Sequence, residues 1–309
     1  MASVVALGGG YYVAHLEQVP ETGRWRFMDI SPKMEASLGE ESRRQLRAEF
    51  AGKTLPPNHQ LTRHIHRIVS QILEANGLGK LKSSSDASMF RTPWEDSFDS
   101  HTQNTPAGHE REWELLVVKD DNMANAMTSF GSIVVFTGII PFAKNEEGLA
   151  AIIGHEIGHS VARHNLERYS SNKVFLAVAS LLAATGLDFG FSRILSTLLL
   201  DLPNSRTQEL EADAIGLQLI ARACYDPRSA PEVFERMEQI DKKNGRVNVN
   251  FLYTHPTFTT RIERLNKLLP EAYDIRAASP QCAGVQDGMS AFRDAFGLGK
   301  GEGTIWSWA

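Results

Sequence analysis

His155, Glu156 and His159 carry the first chemical signal in this 309-residue chain, where they spell His-Glu-x-x-His. Positions four apart on a helix share a face, so both imidazoles reach one metal ion while the carboxylate between them meets the metal's water. That is the geometry of a zinc hydrolase. Chance gives this pentapeptide on the order of once per hundred such chains, so its surroundings must support it. Zinc that does chemistry wants a third protein ligand and an open fourth position. Downstream, Ser205-Arg206-Thr207-Gln208-Glu209-Leu210-Glu211-Ala212-Asp213 reads as a second, acid-rich helix after Pro203-Asn204. Glu209 and Asp213 share a face there, so a helix docked beside the first gives one carboxylate to the metal and hydrogen-bonds a ligand histidine with the other. We assign Glu209 as ligand and Asp213 as the partner of a ligand histidine. Glu211 is the rival ligand, but it faces away from Asp213's side.

The His-Glu-x-x-His helix followed by Ser-Arg-x-x-Glu-x-Glu-Ala-Asp resembles the gluzincin peptidases, which include HtpX-type quality-control proteases and CAAX prenyl proteases. The resemblance implies an α+β, mainly helical zincin-like metallopeptidase domain with a small β-sheet beside the active-site helix. It also implies Zn2+ as cofactor and Glu209 as third ligand. Val19 to Phe27 resembles the segment after the membrane anchor in the mitochondrial Oma-type branch. The stretch from Thr254-His255-Pro256 to Arg261 resembles the family's His-Pro…Arg segment. By that likeness His255 helps to stabilise the tetrahedral oxyanion and Arg261 braces the site through carboxylates. From its own neighbourhood His255 is a helix-start residue, held extended before proline. Asn125-Ala126 resembles the family's Asn-Ala segment ahead of the cleft strand, and Asn125 either contacts substrate or closes a turn. The branch implies the mitochondrial inner membrane, a catalytic domain facing the intermembrane space, and stress-linked cleavage of membrane-associated proteins, with dynamin-like fusion GTPases as the expected substrate.

Several elements must position these groups. Asn145 reads as the N-cap of the active-site helix, with Glu146 and Glu147 in its first turn and a run to about Tyr169. Leu149, Ile152, Ile153, Ile157 and Val161 face the core. Gly154 and Gly158 cost helix propensity, which signals close approach by a neighbouring segment. His164, five beyond His159, falls off the metal face and reads as structural. Trp113–Lys119 and Ser132–Thr137 read as strands joined through a turn over Asp120–Met127, a small sheet whose edge can hold substrate backbone. Further helices are expected over Ser42–Ala51, Leu61–Ala75 and Ala230–Lys242. His64 and His66, two apart, cannot share a ligand face.

The Ser-rich stretch Lys82–Glu110, with His101 and His109, reads as a long excursion from the core. Val174–Leu187 and Phe191–Leu200 are apolar runs too short to span a bilayer, and a helical hairpin is expected. Ala2–Ala14 is apolar, Gly-rich and also too short, so it reads as the exit end of a longer anchor. Residues 1–40 then form a membrane-proximal segment, 41–275 the peptidase domain, and 276–309 a tail containing Trp306 and Trp308.

Composition agrees with an ordinary folded protein rather than a disordered one: 42% of residues are hydrophobic and 22% charged. A net charge of −5 gives no reason to expect nucleic acid. The two cysteines, Cys224 and Cys282, exclude a disulfide framework and a Cys-rich metal site, and two free thiols are expected ahead of a single bond formed in an oxidising compartment. Expected partners are protein or peptide substrates, a membrane in the longer protein, and further copies of the chain as a homo-oligomer. The rival readings are a bacterial-type HtpX-like quality-control peptidase and a catalytically silent scaffold holding structural zinc. Intact Glu156 argues against the scaffold, since a purely structural site has no use for a base.

Overall fold

A computed structural model describes residues 2–82, 112–184, 205–244, 251, 254–255 and 258–282. Helix α1 (Ala2–Ala14) leads into an antiparallel hairpin, β1 (Leu16–Gln18) with β2 (Trp25–Phe27), whose loop buries Val19 in the main core. Helix α2 (Pro32–Glu49) starts well ahead of the Ser42 expected. Ser31 caps the Met34 N–H and Pro32 suits a first turn, local signals that outweigh a weak apolar pattern. Helix α3 (Gln60–Ala75) buries Leu61, Ile65, Ile68, Val69, Ile72 and Leu73, as its spacing predicts. His66 is exposed and His64 half-buried, away from the metal motif.

The sheet has four described strands rather than two: β3 (Lys80–Leu81), β4 (Glu112–Val118), β5 (Ala126–Ser129) and β6 (Ser132–Phe136). Their order is β3-β4-β6-β5, with β4 parallel to β3 and β6 and with β5 antiparallel to β6 at the edge. The turn expected to reach Met127 therefore ends at Asn125. The β5–β6 hairpin closes through Phe130 and Gly131, at φ 48° and 87°. A bulky residue with positive φ is rare, so this turn carries none of the Asn-Gly chemistry that announces a hairpin.

Helix α4 (Ile140–Ala143) precedes the central helix α5 (Glu146–Val161), whose Asn145 cap accepts from the Gly148 N–H at 2.9 Å. From Gly148 to Ser160 every residue of α5 is buried. It stops short of the Tyr169 expected, because Arg163 adopts φ 56° and the chain restarts as α6 (His164–Ala184). Val174–Ala184 thus continues α6. The rest of the expected apolar hairpin, the Ser-rich excursion with His101 and His109, and the tail beyond Cys282 lie outside the described residues. Among the described residues no helix is long and apolar enough to cross a membrane.

Helices α7 (Arg206–Arg222), α8 (Ser229–Asn244) and α9 (Phe258–Ala278) complete the layer around α5. The α5 glycines have the role inferred for them. A Cβ on Gly158 would lie 2.7 Å from the Ala212 carbonyl oxygen, and one on Gly216 2.8 Å from that of Gly154. Backbone therefore packs on backbone beside both motif histidines. Gly158→Ala is expected to cost roughly 1–3 kcal/mol in chemical denaturation and to weaken metal binding, because α7 must move off α5.

The thiol expectation is overturned: Cys224 and Cys282 form a disulfide, with Cα atoms 5.2 Å apart. Each follows the C-terminus of a helix, α7 or α9, and those helices pack together, so residues 58 apart in sequence meet in space.

Candidate metal centre

Four elements converge on one buried point. Helix α5 supplies His155, Glu156 and His159, and α7 supplies Glu209 and Asp213. His255 comes from the segment before α9, and Arg261 from α9 itself; all seven are buried. Ser205 and Gln208 form a reciprocal capping box that starts α7 and places Glu209 in its first turn.

Within this group His155, His159, Glu209 and His255 each offer one donor atom, all within 4.8 Å of one another. The Nε2 atoms of His155 and His159 are 3.1 Å apart, and the Glu209 oxygens lie 3.4 and 3.3 Å from them. Imidazoles and one carboxylate form a donor set suited to zinc and other first-row divalent ions. The residues present therefore fit a metal.

The outer nitrogens of the two motif histidines are held differently. His155 Nδ1 lies 2.9 Å from Asp213 Oδ1, and Arg261 donates from Nε and Nη2 to the two Asp213 oxygens at 2.7 Å each. Arg261 Nη1 also reaches Glu209 Oε2 at 2.9 Å, and its guanidinium sits 4.2 Å over the Phe234 ring. On the other side, His159 Nδ1 meets His164 Nδ1 at 2.7 Å, and His164 Nε2 meets Glu211 Oε2 at 2.9 Å. His164 is thus in contact with a motif histidine, although a continuous helix would have carried it off that face. The left-handed Arg163 breaks the helix and swings the ring back. Glu211, the rival ligand, does face away from Asp213, and it serves His164 instead.

Glu156 is anchored by strand β5. The Thr128 N–H donates to its Oε2 at 3.1 Å, while Thr128 Oγ1 donates to the Glu156 carbonyl at 2.7 Å. Buried Glu156 Oε1 makes no hydrogen bond among the described residues and lies 3.3 Å from His255 Nε2. The Thr128 carbonyl accepts from Asn165, so the outward groups of this edge residue are already used. Asn125 closes its turn, its Oδ1 accepting from the Ala126 N–H at 3.0 Å. It also lines a groove with Phe50, Lys53, Met123, Met127 and Thr254, the last beside His255.

Charge is distributed unevenly over the cluster. Burial and the Arg261 charge oppose protonation of His155, yet its hydrogen bonds to Asp213 and Glu209 push it up to about 9. Burial drives His159 well down and lowers His255 to about 4. Glu209, despite burial, is held far below the carboxylate range by His255, His155 and His159. Asp213, likewise buried, is held at about 2 by Arg261 and His155. Burial raises Glu156 to about 8. His155 of the metal-free site is therefore held as an imidazolium at neutral pH, and a metal must displace its second proton. Because its folded value is raised, His155 contributes stability to the metal-free protein that is complete below its ordinary 6.5 and lost as pH rises through about 9. Apparent metal affinity is expected to rise about tenfold per pH unit between pH 7 and 9. Chelator competition at stepped pH measures this.

The sequence profile of peptidase family M48 matches residues 96–269. The mitochondrial metalloendopeptidase OMA1 of Schizosaccharomyces pombe is 34% identical over 282 residues, covering 90% of this chain and 73% of that one. The Saccharomyces cerevisiae protein of the same name is 32% identical over 270 residues, covering 86% and 72%. The beta-barrel assembly-enhancing protease of Escherichia coli O157:H7 is 26% identical over 174 residues, covering 51% and 35%. Likeness to the mitochondrial proteins thus covers most of the chain, whereas the bacterial likeness covers half of it. A buried cluster of metal-binding donors set around a glutamate on a helical α+β scaffold agrees with those relatives, and the chain belongs to peptidase family M48 as a metalloendopeptidase related to mitochondrial ones.

Proposed function

We propose that this protein is a zinc-dependent endopeptidase of the mitochondrial inner membrane, acting on membrane-associated or misfolded proteins from the intermembrane-space side. The observation that carries the chemistry is Glu156, whose Oε1 makes no hydrogen bond among the described residues and lies 3.3 Å from His255 Nε2 at the edge of a buried donor cluster. His155, His159 and Glu209 would hold the metal. When bound, zinc supplies Lewis acidity for the scissile carbonyl and lowers the pKa of water. Glu156 takes the water's proton on Oε1 while the Thr128 N–H fixes its other oxygen, and then returns the proton to the leaving amine.

His255 has two roles open to it. Its Nε2 near Glu156 supports the oxyanion role, and its place among the donors supports a further bond to the metal. Asp213 and Arg261 orient His155 and Glu209, and Asn125 borders the groove that would receive substrate. Residues 1–40 serve as the membrane-proximal segment, 41–275 as the peptidase domain and 276–309 as the tail. The longer reach of the mitochondrial likeness supports this location over a bacterial-type quality-control role. Dynamin-like fusion GTPases are the proposed substrates under stress, and the protein is proposed to act as a homo-oligomer.

The test is proteolysis of an unfolded soluble protein and of a membrane-anchored candidate, before and after chelation and again after zinc is restored. Cleavage that is lost on chelation and recovered with zinc is expected. Cleavage that persists without metal overturns the reading.

A further inference from the structure

We propose that the β1–β2 hairpin is a positioning arm of the metal centre: Thr22 and Arg24 grip Glu211, which through His164 fixes the ring of His159. The inference rests on the reading of His159 as a metal ligand.

The arm is built from charge and backbone together. Arg24 donates to Glu211 Oε2 from Nε at 3.0 Å and from Nη2 at 2.7 Å, and Thr22 Oγ1 donates to the other Glu211 oxygen. The same guanidinium forks onto both oxygens of Glu167 on α6, at 2.8 and 2.7 Å. Its loop is held by the Val19 N–H to the Arg24 carbonyl and the Gly23 N–H to the Val19 carbonyl, with Val19 fully buried. Two residues on, buried Arg26 donates to the carbonyl of Ala162, which ends α5, and to Glu17. A cation at a helix C-terminus is favourable, so Arg26 holds the metal helix where it breaks. The arm therefore clamps the α5–α6 corner that turns His164 towards His159.

Proton placement follows from the chain of partners. A metal-binding His159 uses its Nε2 lone pair, so Nδ1–H donates to His164 Nδ1. His164 Nε2–H then donates to Glu211, whose charge Arg24 and Thr22 satisfy. His155 has its carboxylate partner within the same fold core, from Asp213. His159 depends on a relay that ends in residues 22–24, outside the 96–269 stretch matched by the family. Such outer partners typically tune metal affinity by about 10–100-fold.

The test compares Thr22→Val/Arg24→Gln, Arg24→Lys and Glu211→Gln with wild type. Zinc affinity is measured by chelator competition, melting of metal-free and zinc-loaded protein is followed, and the visible spectrum is taken with cobalt(II) in place of zinc. The double variant is expected to bind zinc about 10–100-fold more weakly and to shift the cobalt spectrum, while its metal-free form, destabilised by loss of the Arg24 pairs with Glu211 and Glu167, still melts in one cooperative transition. Arg24→Lys, which keeps the charge but not the fork, is expected to recover part of the loss. Zinc affinity within about twofold of wild type, with equal losses of metal-free and zinc-loaded stability, overturns the proposal. Should the double variant fail to fold, Glu211→Gln keeps the side chain's shape and decides the matter by the same affinity criterion. None of these readouts depends on peptide cleavage, so failure of the peptidase reading would show separately, as a wild type that binds zinc and cleaves nothing.

Discussion

Glu156→Gln is expected to lower kcat/KM for peptide cleavage by about 10²–10⁴-fold while leaving the zinc bound per chain unchanged. The substitution keeps the side chain's length and an oxygen to accept from the Thr128 N–H, so strand β5 and helix α5 stay in register. What it removes is basicity at one oxygen. The Glu156 side chain belongs to none of the four candidate donors, which is why metal content should not follow activity. Zinc analysis and steady-state kinetics on the same preparation measure both quantities. Equal cleavage by the two proteins would sink the assignment of this site, and loss of zinc together with activity would make Glu156 part of the metal-holding set.

Arg261→Ala is expected to destabilise the protein by about 3–5 kcal/mol, a large share of the total stability of a typical domain. The side chain is fully buried, donates to Asp213 twice and pairs with Glu209 at 2.9 Å. Truncation leaves two buried carboxylates without their guanidinium, and they regain no water in exchange. The Phe234 ring also loses the cation above it. Arg261→Lys should recover little, since a point charge cannot serve Asp213 and Glu209 with a planar fork. Urea denaturation of the metal-free and zinc-loaded proteins is the measurement. A loss below about 1 kcal/mol would mean that the two carboxylates find other partners, and the bracing role would fail.

Much of the site was legible because helical periodicity converts spacing into facing. His155 with His159, and Glu209 with Asp213, needed only the four-residue repeat to be read as pairs. Gly154 and Gly158 announced close helix packing for a similarly local reason, since glycine inside a helix is costly unless something must come near. Mixed strand order, the extra strand β5 and the start of α2 were less accessible. They depend on a turn through Phe130 at positive φ and on a cap at Ser31, signals that compete with many equal ones along a chain.

By itself, then, the sequence determined which groups could do chemistry, two imidazoles and two carboxylates paired by spacing on two helices, and the α+β class that houses them. Tertiary structure decided everything that joins residues distant in the chain. It turned His164 onto His159 at the Arg163 break, gave Glu211 to Arg24 of the N-terminal hairpin, placed Arg261 between Asp213 and Glu209, and joined Cys224 to Cys282. The physical reason is one of range. Backbone periodicity fixes neighbours within a few residues, whereas buried charges take whichever partner packing brings within about 3 Å, wherever it lies in the chain.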